Sequence, residues 1–184
     1  MNYILITGLP GAGKTTVCGF IREITGLHSI NSGDTLREYA LNRGLSCESR
    51  AEIGPVFLNR FSDREIYHIL LEQALSKHAP IIDGVRLAVT CRQFLRENES
   101  SRVWNIQCEA QRRKLRLRTR LLLEGHSHDR IEELLEKYRA YDRDENEIRS
   151  LSDLIIENNG SFEELQKRIR SVFPKTTERS GSEL

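Results

Sequence analysis

The chain lacks a long apolar run, a framework of paired cysteines and an excess of charge of either sign. No hydrophobic stretch approaches the ~20 residues of a membrane-spanning helix, so no membrane association is expected. The first six residues carry no basic group before their apolar stretch and run into glycines, which predicts a buried strand and not a signal peptide. The four cysteines show no zinc or disulfide spacing, which favours reduced thiols and a cytoplasmic protein.

The charge of the chain is nearly balanced, with 28 basic residues against 27 acidic ones. A dedicated nucleic-acid binder needs many cations to neutralise phosphates, so nucleic acid is not the expected partner. One segment nevertheless carries six basic residues and no acid: Arg112, Arg113, Lys114, Arg116, Arg118 and Arg120. A local positive site is therefore predicted.

Mostly apolar short strands alternate with helical patterns along the 184 residues. The predicted strands are residues 3–6, 28–31, 80–84, 103–108 and 154–156. The predicted helices are residues 14–24, 34–39, two within 48–77, 87–95, 109–123, 129–147 and 161–173, the last with a capping box formed by Ser161 and Glu164. This alternation predicts one doubly wound α/β domain with a parallel five-stranded sheet over residues 1–173, followed by a flexible polar tail over residues 174–184.

A glycine-rich motif follows the first predicted strand. Residues 8–15, Gly-Leu-Pro-Gly-Ala-Gly-Lys-Thr, fit G-x-x-x-x-G-K-[ST] between a strand and a helix, which is the context of a phosphate-binding P-loop. Lys14 is predicted to bridge the β- and γ-phosphates of ATP, and the Thr15 hydroxyl is predicted to hold Mg²⁺. The predicted ATP-binding residues are Gly8, Gly11, Ala12, Gly13, Lys14, Thr15 and Thr16.

A P-loop alone does not distinguish a kinase from a GTPase, a motor or a regulator. The sequence has no Asn-Lys-x-Asp segment of the kind that reads guanine in GTPases. A small-molecule kinase is therefore the leading class.

From the P-loop onward the chain resembles the adenylate kinase group of nucleoside monophosphate kinases. The resemblance rests on residues 30–37, Ile-Asn-Ser-Gly-Asp-Thr-Leu-Arg, on residues 82–86, Ile-Asp-Gly-Val-Arg, and on the arginine series that starts at Arg113. Within that group it is most similar to small archaeal-type kinases related to dephospho-CoA kinase. These share the order of an Asp-Gly-x-Arg strand end, an Arg143-Asp144-Glu145 segment and a closing Asn-Asn-Gly-Ser segment at residues 158–161.

The resemblance implies an acceptor region of small helices over about residues 34–77. Gly33, Asp34, Arg37 and Arg86 are the acceptor-binding residues it implies, with the two arginines gripping the acceptor's own phosphate. Asp34 and Asp83 would orient water around Mg²⁺, and Asp83 is also counted among the catalytic residues. A helix cap at Asp34 and a turn acid at Asp83 are the simpler alternatives.

The resemblance also implies a short lid over about residues 120–143. Arg113 and Arg120 would neutralise charge on the transferred phosphoryl group as catalytic residues, and Arg116, Arg139 and Arg143 would belong to the lid. A solvated basic face is the alternative. The chain lacks the Phe-Pro pair of adenylate kinases after Gly84 and the zinc-binding cysteines of some lids. His126 and His128 are interpreted as part of a polar loop.

The predicted function is transfer of the γ-phosphate of ATP, with Mg²⁺, to a nucleoside or deoxynucleoside 5′-monophosphate. One alternative is transfer to a hydroxyl, as in dephospho-CoA kinase, with Asp34 or another carboxylate as base. Another is a nucleotide-sensing module whose arginine-rich helix contacts RNA or a protein partner. The expected partner is a small phosphate-bearing molecule, and the sequence does not predict an oligomeric state.

Overall fold

The computed structural model describes residues 2–45, 57, 60–139 and 144–173. Its strands are β1 Ile4–Thr7, β2 Ser29–Asn31, β3 Ile81–Asp83, β4 Arg102–Gln107 and β5 Leu154–Glu157. They form one parallel sheet in the order β2-β3-β1-β4-β5. The predicted five-stranded, doubly wound P-loop fold is therefore confirmed.

The described helices cover both faces of this sheet. They are α1 Lys14–Thr25, α2 Ser32–Asn42, α3 Asp63–Ser76, α4 Ala88–Glu97, α5 Ala110–Leu123, α6 His128–Arg139, α7 Glu145–Ser150 and α8 Phe162–Val172. The predicted capping box at the start of α8 is present, because the Ser161 hydroxyl accepts from the Glu164 N–H and the Glu164 carboxylate accepts from the Ser161 N–H. None of these helices is long and apolar enough to cross a membrane.

One predicted helix, residues 129–147, is wrong as a single element. The structure describes α6 over His128–Arg139 and a separate short helix, α7, that starts at Glu145 with Asp144 as its N-cap. The apolar residues of the two helices are buried in different places: Leu134 packs with α5, whereas Ile148 lies in the core on one face of the sheet. One straight helix could not serve both. The first helix predicted within residues 48–77 falls largely outside the described residues.

Alternate strand residues divide the core into two layers. On β1, Leu5 packs on the face covered by α3, α4 and α7, and Ile6 packs on the face covered by α1 and α8. Both side chains are fully buried. A third cluster joins α5 to α6 through Leu117, Leu121, Ile131, Leu134 and Tyr138.

The carboxyl ends of the three strands β1, β2 and β3 bring the predicted site together. Thr7 ends β1, Asn31 ends β2 and Asp83 ends β3, and the last two are register partners. β1 lies between β3 and β4, so the loop after it emerges where the strand order reverses. This is the position at which ligands bind in open α/β sheets.

The loop after β1 depends on a glycine at its first position. Gly8 has φ +126°, and a Cβ built there would collide with the carbonyl oxygen of Ile106 on β4. We expect Gly8→Ala to lower the free energy of unfolding by ~1–3 kcal/mol, since backbone strain and the collision add. Urea denaturation measures the change.

Gly19→Ala is the matched control. Gly19 lies within α1 with open space around its Cβ position, so the same substitution should stabilise the protein by about 0.5–1 kcal/mol. Equal stability of the two variants would contradict this account of Gly8.

Candidate active site

The glycine-rich loop presents the start of α1 to the cleft. Gly13 precedes the helix in a left-handed conformation, and no side chain caps the first turn. Backbone N–H groups at such a helix start, together with the helix dipole, favour an anion. The loop is held from behind by Asn158, whose buried amide donates to the Ala12 carbonyl over 2.7 Å.

Lys14 is folded back over this loop and is only 8% exposed. Its Nζ donates to the carbonyl oxygens of Gly8 (2.7 Å) and Leu9 (3.0 Å). Burial, together with the nearby Arg86 guanidinium, lowers the pKa of Lys14 to about 7, although the carboxylates of Asp83 and Glu145 oppose the shift. A buried ammonium in this setting gains most from an anion, which is what a triphosphate supplies.

Asp83 links the loop to the neighbouring strand. One of its carboxylate oxygens, Oδ2, accepts from the Thr15 hydroxyl and from the Asn31 amide, both over 2.9 Å. Its other oxygen, Oδ1, is buried with no hydrogen-bond partner among the described residues. A hydroxyl oxygen and an orphaned carboxylate oxygen are hard donors that suit Mg²⁺, so Thr15 and Asp83 fit the predicted metal site.

A cleft of about 300 Å³ opens beyond the strand ends. The loop with Lys14, Thr15 and Thr16 lines it, together with Arg86 and a group of apolar side chains. Those apolar residues are Leu36, Phe57, Ile66, Leu70, Val85 and Leu87. Predicted loop, Asp83 and Arg86 positions are therefore brought into one cavity.

Two predicted acceptor residues are not brought into this cleft. Gly33 and Leu36 line it, whereas Asp34 and Arg37 are exposed and do not. Each of the two follows a lining residue by one position, which rotates it by about 100° around α2. The carboxylate predicted to orient magnesium-bound water is thus displaced from the metal side, and the roles of Asp34 and Arg37 stay predictions.

The arginines of α5 divide into two groups. Arg116 and Arg120 line the cleft, whereas Arg113 lines a smaller hollow between the loop, α5 and α6. The Arg113 side chain donates to the Cys108 carbonyl (3.2 Å) and the Pro10 carbonyl (3.5 Å), so it supports the loop from outside the cleft. Arg113 therefore does not join Arg116 and Arg120 in the cleft.

Arg120 is held at the cleft by two neighbours. Its Nη2 donates to the Tyr138 hydroxyl over 2.8 Å, and its Nε lies 3.6 Å from a carboxylate oxygen of Glu124. Of the other predicted lid arginines, Arg139 ends α6, and Arg143 lies outside the described residues. Among the described residues, no group of three His, Cys, Asp or Glu could hold a metal ion, including those near His126.

Several site residues were missed by sequence reasoning. Asn158 contacts the glycine-rich loop, Ser32 contacts the Gly84 carbonyl, and Tyr138 contacts Arg120. Thr90 places a buried hydroxyl at the cleft. Asn158 directly follows β5, so its place at the carboxyl edge of the sheet was a usable signal. Nothing in the sequence distinguished Thr90 from a surface residue of α4.

Comparison with known proteins places the chain among P-loop kinases. A family model described as an AAA domain matches residues 7–152. A UPF0200 protein of Pyrococcus horikoshii is 30% identical over 189 residues, covering 94% of this chain and 96% of that protein. A cytidylate kinase of Archaeoglobus fulgidus is 30% identical over 165 residues, covering 87% of each.

The fold is similar to that of a shikimate kinase from Acinetobacter baumannii solved with shikimate. The TM-score is 0.59 at 17% identity, over 97% of this chain and 96% of the other. The matches support the predicted P-loop kinase domain without distinguishing between kinase groups.

The lowered pKa of Lys14 predicts proton uptake when nucleotide binds. At pH 8 a lysine with a pKa of about 7 is mostly neutral, and a triphosphate beside it raises that pKa again, so Mg²⁺ and the ATP analogue AMPPNP should bind with uptake of nearly one proton. Calorimetric titration in buffers of different ionisation enthalpy measures the uptake. It should shrink at pH 6, where Lys14 is already charged.

Lys14→Met is the control, because it keeps an unbranched side chain without a titrating group. Binding by this variant should be weaker and should take up no proton. Proton uptake equal to that of the wild type in Lys14→Met would assign the effect to another group.

Proposed function

The chain belongs to the P-loop kinase family that the AAA-domain model describes, and from that membership we propose that it transfers the γ-phosphate of ATP to a nucleoside or deoxynucleoside 5′-monophosphate. The observation that carries the proposal is the composition of the cleft. Its lining combines a phosphate-binding loop with Arg86 and with a group of apolar side chains, and Arg116 and Arg120 line it as well. A nucleoside monophosphate matches Arg86 with its phosphate and the apolar group with its base.

Arg86 is the acceptor-phosphate ligand in this proposal. It lines the cleft and lies close enough to Lys14 to lower the pKa of that lysine. Two cations held this close favour two negatively charged groups between them, and a guanidinium donates two parallel hydrogen bonds to phosphate oxygens. The γ-phosphate of ATP and the acceptor phosphate are such a pair.

The apolar group suits the base of the acceptor. Leu36, Phe57, Ile66 and Leu70 supply surfaces on which an aromatic ring can be buried. Thr90 lines the same cleft and is 1% exposed, and its hydroxyl has no hydrogen-bond partner among the described residues. A base with a hydrogen-bonding edge would satisfy it.

The small number of carboxylates among the described lining residues favours a phosphate acceptor over a hydroxyl acceptor. A hydroxyl needs a base to take its proton, whereas a phosphate oxygen is already a nucleophile. Among the described residues that line the cleft, Asp83 is the single carboxylate, and Thr15 and Asn31 already donate to it. The similarity to a cytidylate kinase points in the same direction.

The proposed reaction is an in-line transfer. An oxygen of the acceptor phosphate forms a bond to the γ-phosphorus as the bond from that phosphorus to the β-phosphate oxygen breaks. Lys14 would leave its loop carbonyls to bind the β- and γ-phosphates, and Arg116 and Arg120 would balance charge from the lid side. Mg²⁺, held by Thr15 directly and by Asp83 through water, would neutralise the triphosphate.

A panel of acceptors tests the proposal. We expect ADP formation from ATP and Mg²⁺ to rise at least tenfold over the acceptor-free rate with one or more nucleoside or deoxynucleoside monophosphates. Dephospho-CoA and shikimate are the hydroxyl acceptors for comparison. Turnover of a hydroxyl acceptor alone would overturn the choice of acceptor, and ADP formation with no response to any acceptor would favour a nucleotide sensor.

Arg86→Ala should weaken use of the acceptor selectively. We expect kcat/KM for the acceptor to fall, because the arginine contacts the acceptor phosphate in this proposal. The loss of transition-state stabilisation should be ~1.5–3 kcal/mol, the range for hydrogen bonds to charged groups. The KM for ATP should change little. Steady-state kinetics with each substrate varied in turn measures both values.

Arg96→Ala is the matched control, since Arg96 is an exposed arginine of α4 outside the cleft. It should behave like the wild type. Arg37→Ala, measured alongside, decides whether that exposed arginine joins Arg86 on the acceptor. An equal effect of Arg86→Ala on both substrates would contradict its assignment to the acceptor.

A further inference from the structure

The start of α7 contacts elements on both sides of the cleft. Asp144 and Glu145 are consecutive residues, yet their side chains contact different parts of the sheet edge. Neither lines the cleft itself. Asp144 contacts the start of α4, which follows Arg86, and Glu145 contacts β4, which pairs with the strand before the glycine-rich loop.

Asp144 caps a helix that is not its own. The N-cap residue of α4, Leu87, provides no side-chain cap, and the Asp144 carboxylate instead accepts from the Ala88 N–H over 3.1 Å. A carboxylate at a helix start also interacts favourably with the helix dipole. Because Arg86 lies two residues before Ala88, Asp144 holds the backbone close to this arginine.

Further contacts hold α4 and α7 together. Glu147 forms an ion pair with Arg92 one turn along α4, and Ile148 is buried in the same cluster as Cys91. The Asp144 cap is therefore part of a packed interface. A displacement at the start of α7 would be transmitted to the start of α4.

Glu145 contacts the donor side. Its carboxylate accepts from the Asn105 amide over 3.2 Å, and the same amide lies 3.3 Å from the Thr7 hydroxyl, to which it also donates. Thr7 and Asn105 are register partners on β1 and β4, and Thr7 directly precedes Gly8. Glu145 is also near enough to Lys14 to act on its charge. It therefore contacts the strand end that carries the loop and lies near the lysine of that loop.

We propose that Asp144 and Glu145 are positioning residues that couple the donor side of the cleft to the acceptor side. When nucleotide binds the loop, Lys14 leaves its carbonyls and the electrostatic surroundings of Glu145 change. A shift of Glu145 then moves the adjacent Asp144, which caps α4. Occupancy of the donor site then orders the backbone that holds Arg86. The inference rests on the proposed function for its consequence in catalysis, but the mechanical link is a property of the fold.

Hydrogen exchange at the start of α4 tests this link without any acceptor. In the wild type, Mg²⁺ and AMPPNP should slow exchange of the amides of residues 88–91 several-fold. Glu145→Ala should abolish most of that slowing, although it leaves the Ala88 cap in place. Asp144→Ala should speed exchange at Ala88 about tenfold even without nucleotide, since a helix cap is lost.

Conservative variants separate positioning from packing. Asp144→Asn and Glu145→Gln keep an oxygen that can accept the same hydrogen bond, and each should restore most of the nucleotide-dependent slowing. If Asp144→Ala fails to fold, Ala88→Pro removes the donor instead, and proline is tolerated at the first position of a helix that follows an extended residue.

Asp153→Ala is the matched control. The Asp153 carboxylate also accepts from a backbone N–H of another element, that of Val103 on β4, over 2.8 Å. Val103 lies at the amino-terminal end of its strand, away from the strand ends that carry the cleft. This variant should retain the nucleotide-dependent slowing. Retention of wild-type slowing in Glu145→Ala, or its absence in the wild type, would overturn the coupling.

Kinetics gives the consequence for catalysis. Glu145→Ala should lower kcat/KM for both substrates about tenfold, whereas a local role on the donor side would affect ATP alone. Failure of every nucleoside monophosphate as acceptor would overturn the proposed function. The exchange result would still decide the coupling.

Discussion

The cleft is organised around one buried lysine. Lys14 is held over its own loop by two carbonyls, and burial together with Arg86 leaves it poorly suited to remain an ammonium in the free protein. Burial makes its charged form costly, and an anion beside it would offset that cost. The glycine loop, the uncapped start of α1 and the neighbouring arginines all favour the same kind of ligand.

A short segment that begins at the end of β3 contacts the donor loop and also contributes Arg86 to the cleft. Asp83 ends the strand and binds the Thr15 hydroxyl of the donor loop, and Arg86 follows three residues later on the acceptor side. The left-handed Gly84 makes the turn between them, and its carbonyl accepts from the Ser32 hydroxyl over 2.6 Å. The carboxylate proposed for the metal side and the arginine proposed for the acceptor are thus separated by a single turn. Such spacing suits a transfer in which the two phosphates must lie in line.

The sequence was most informative where function depends on local chain geometry. The P-loop motif, the parallel sheet and the position of Arg86 at the cleft could be predicted, because they are set by motif, by strand pattern and by closeness to a strand end. Asp34 and Arg37 show the limit, because a one-residue step around α2 decides whether a side chain enters the cleft. Arg113 on α5 also lies outside the cleft that Arg116 and Arg120 line, and the sequence did not distinguish it from them. Thr90 could not have been found, since only the packing of its helix brings it to the cleft, and neither could Asn105, whose hydrogen bonds join distant segments.

The charges of α5 bear on what its basic run can bind. Arg112 pairs with Glu109, Arg118 with Glu132 and Arg120 with Glu124, while Arg116 donates to the Asn158 carbonyl. A nucleic-acid surface needs cations that are available to neutralise a row of phosphates, and pairing with acids reduces that attraction. These surface pairs contribute little to stability, but they limit the positive field along the outer side of the helix. Arg116 and Arg120 line the cleft, and two arginines there suit one compact anion better than a polyanion, so the arginine-rich helix fits the proposed kinase better than it fits an RNA-binding sensor.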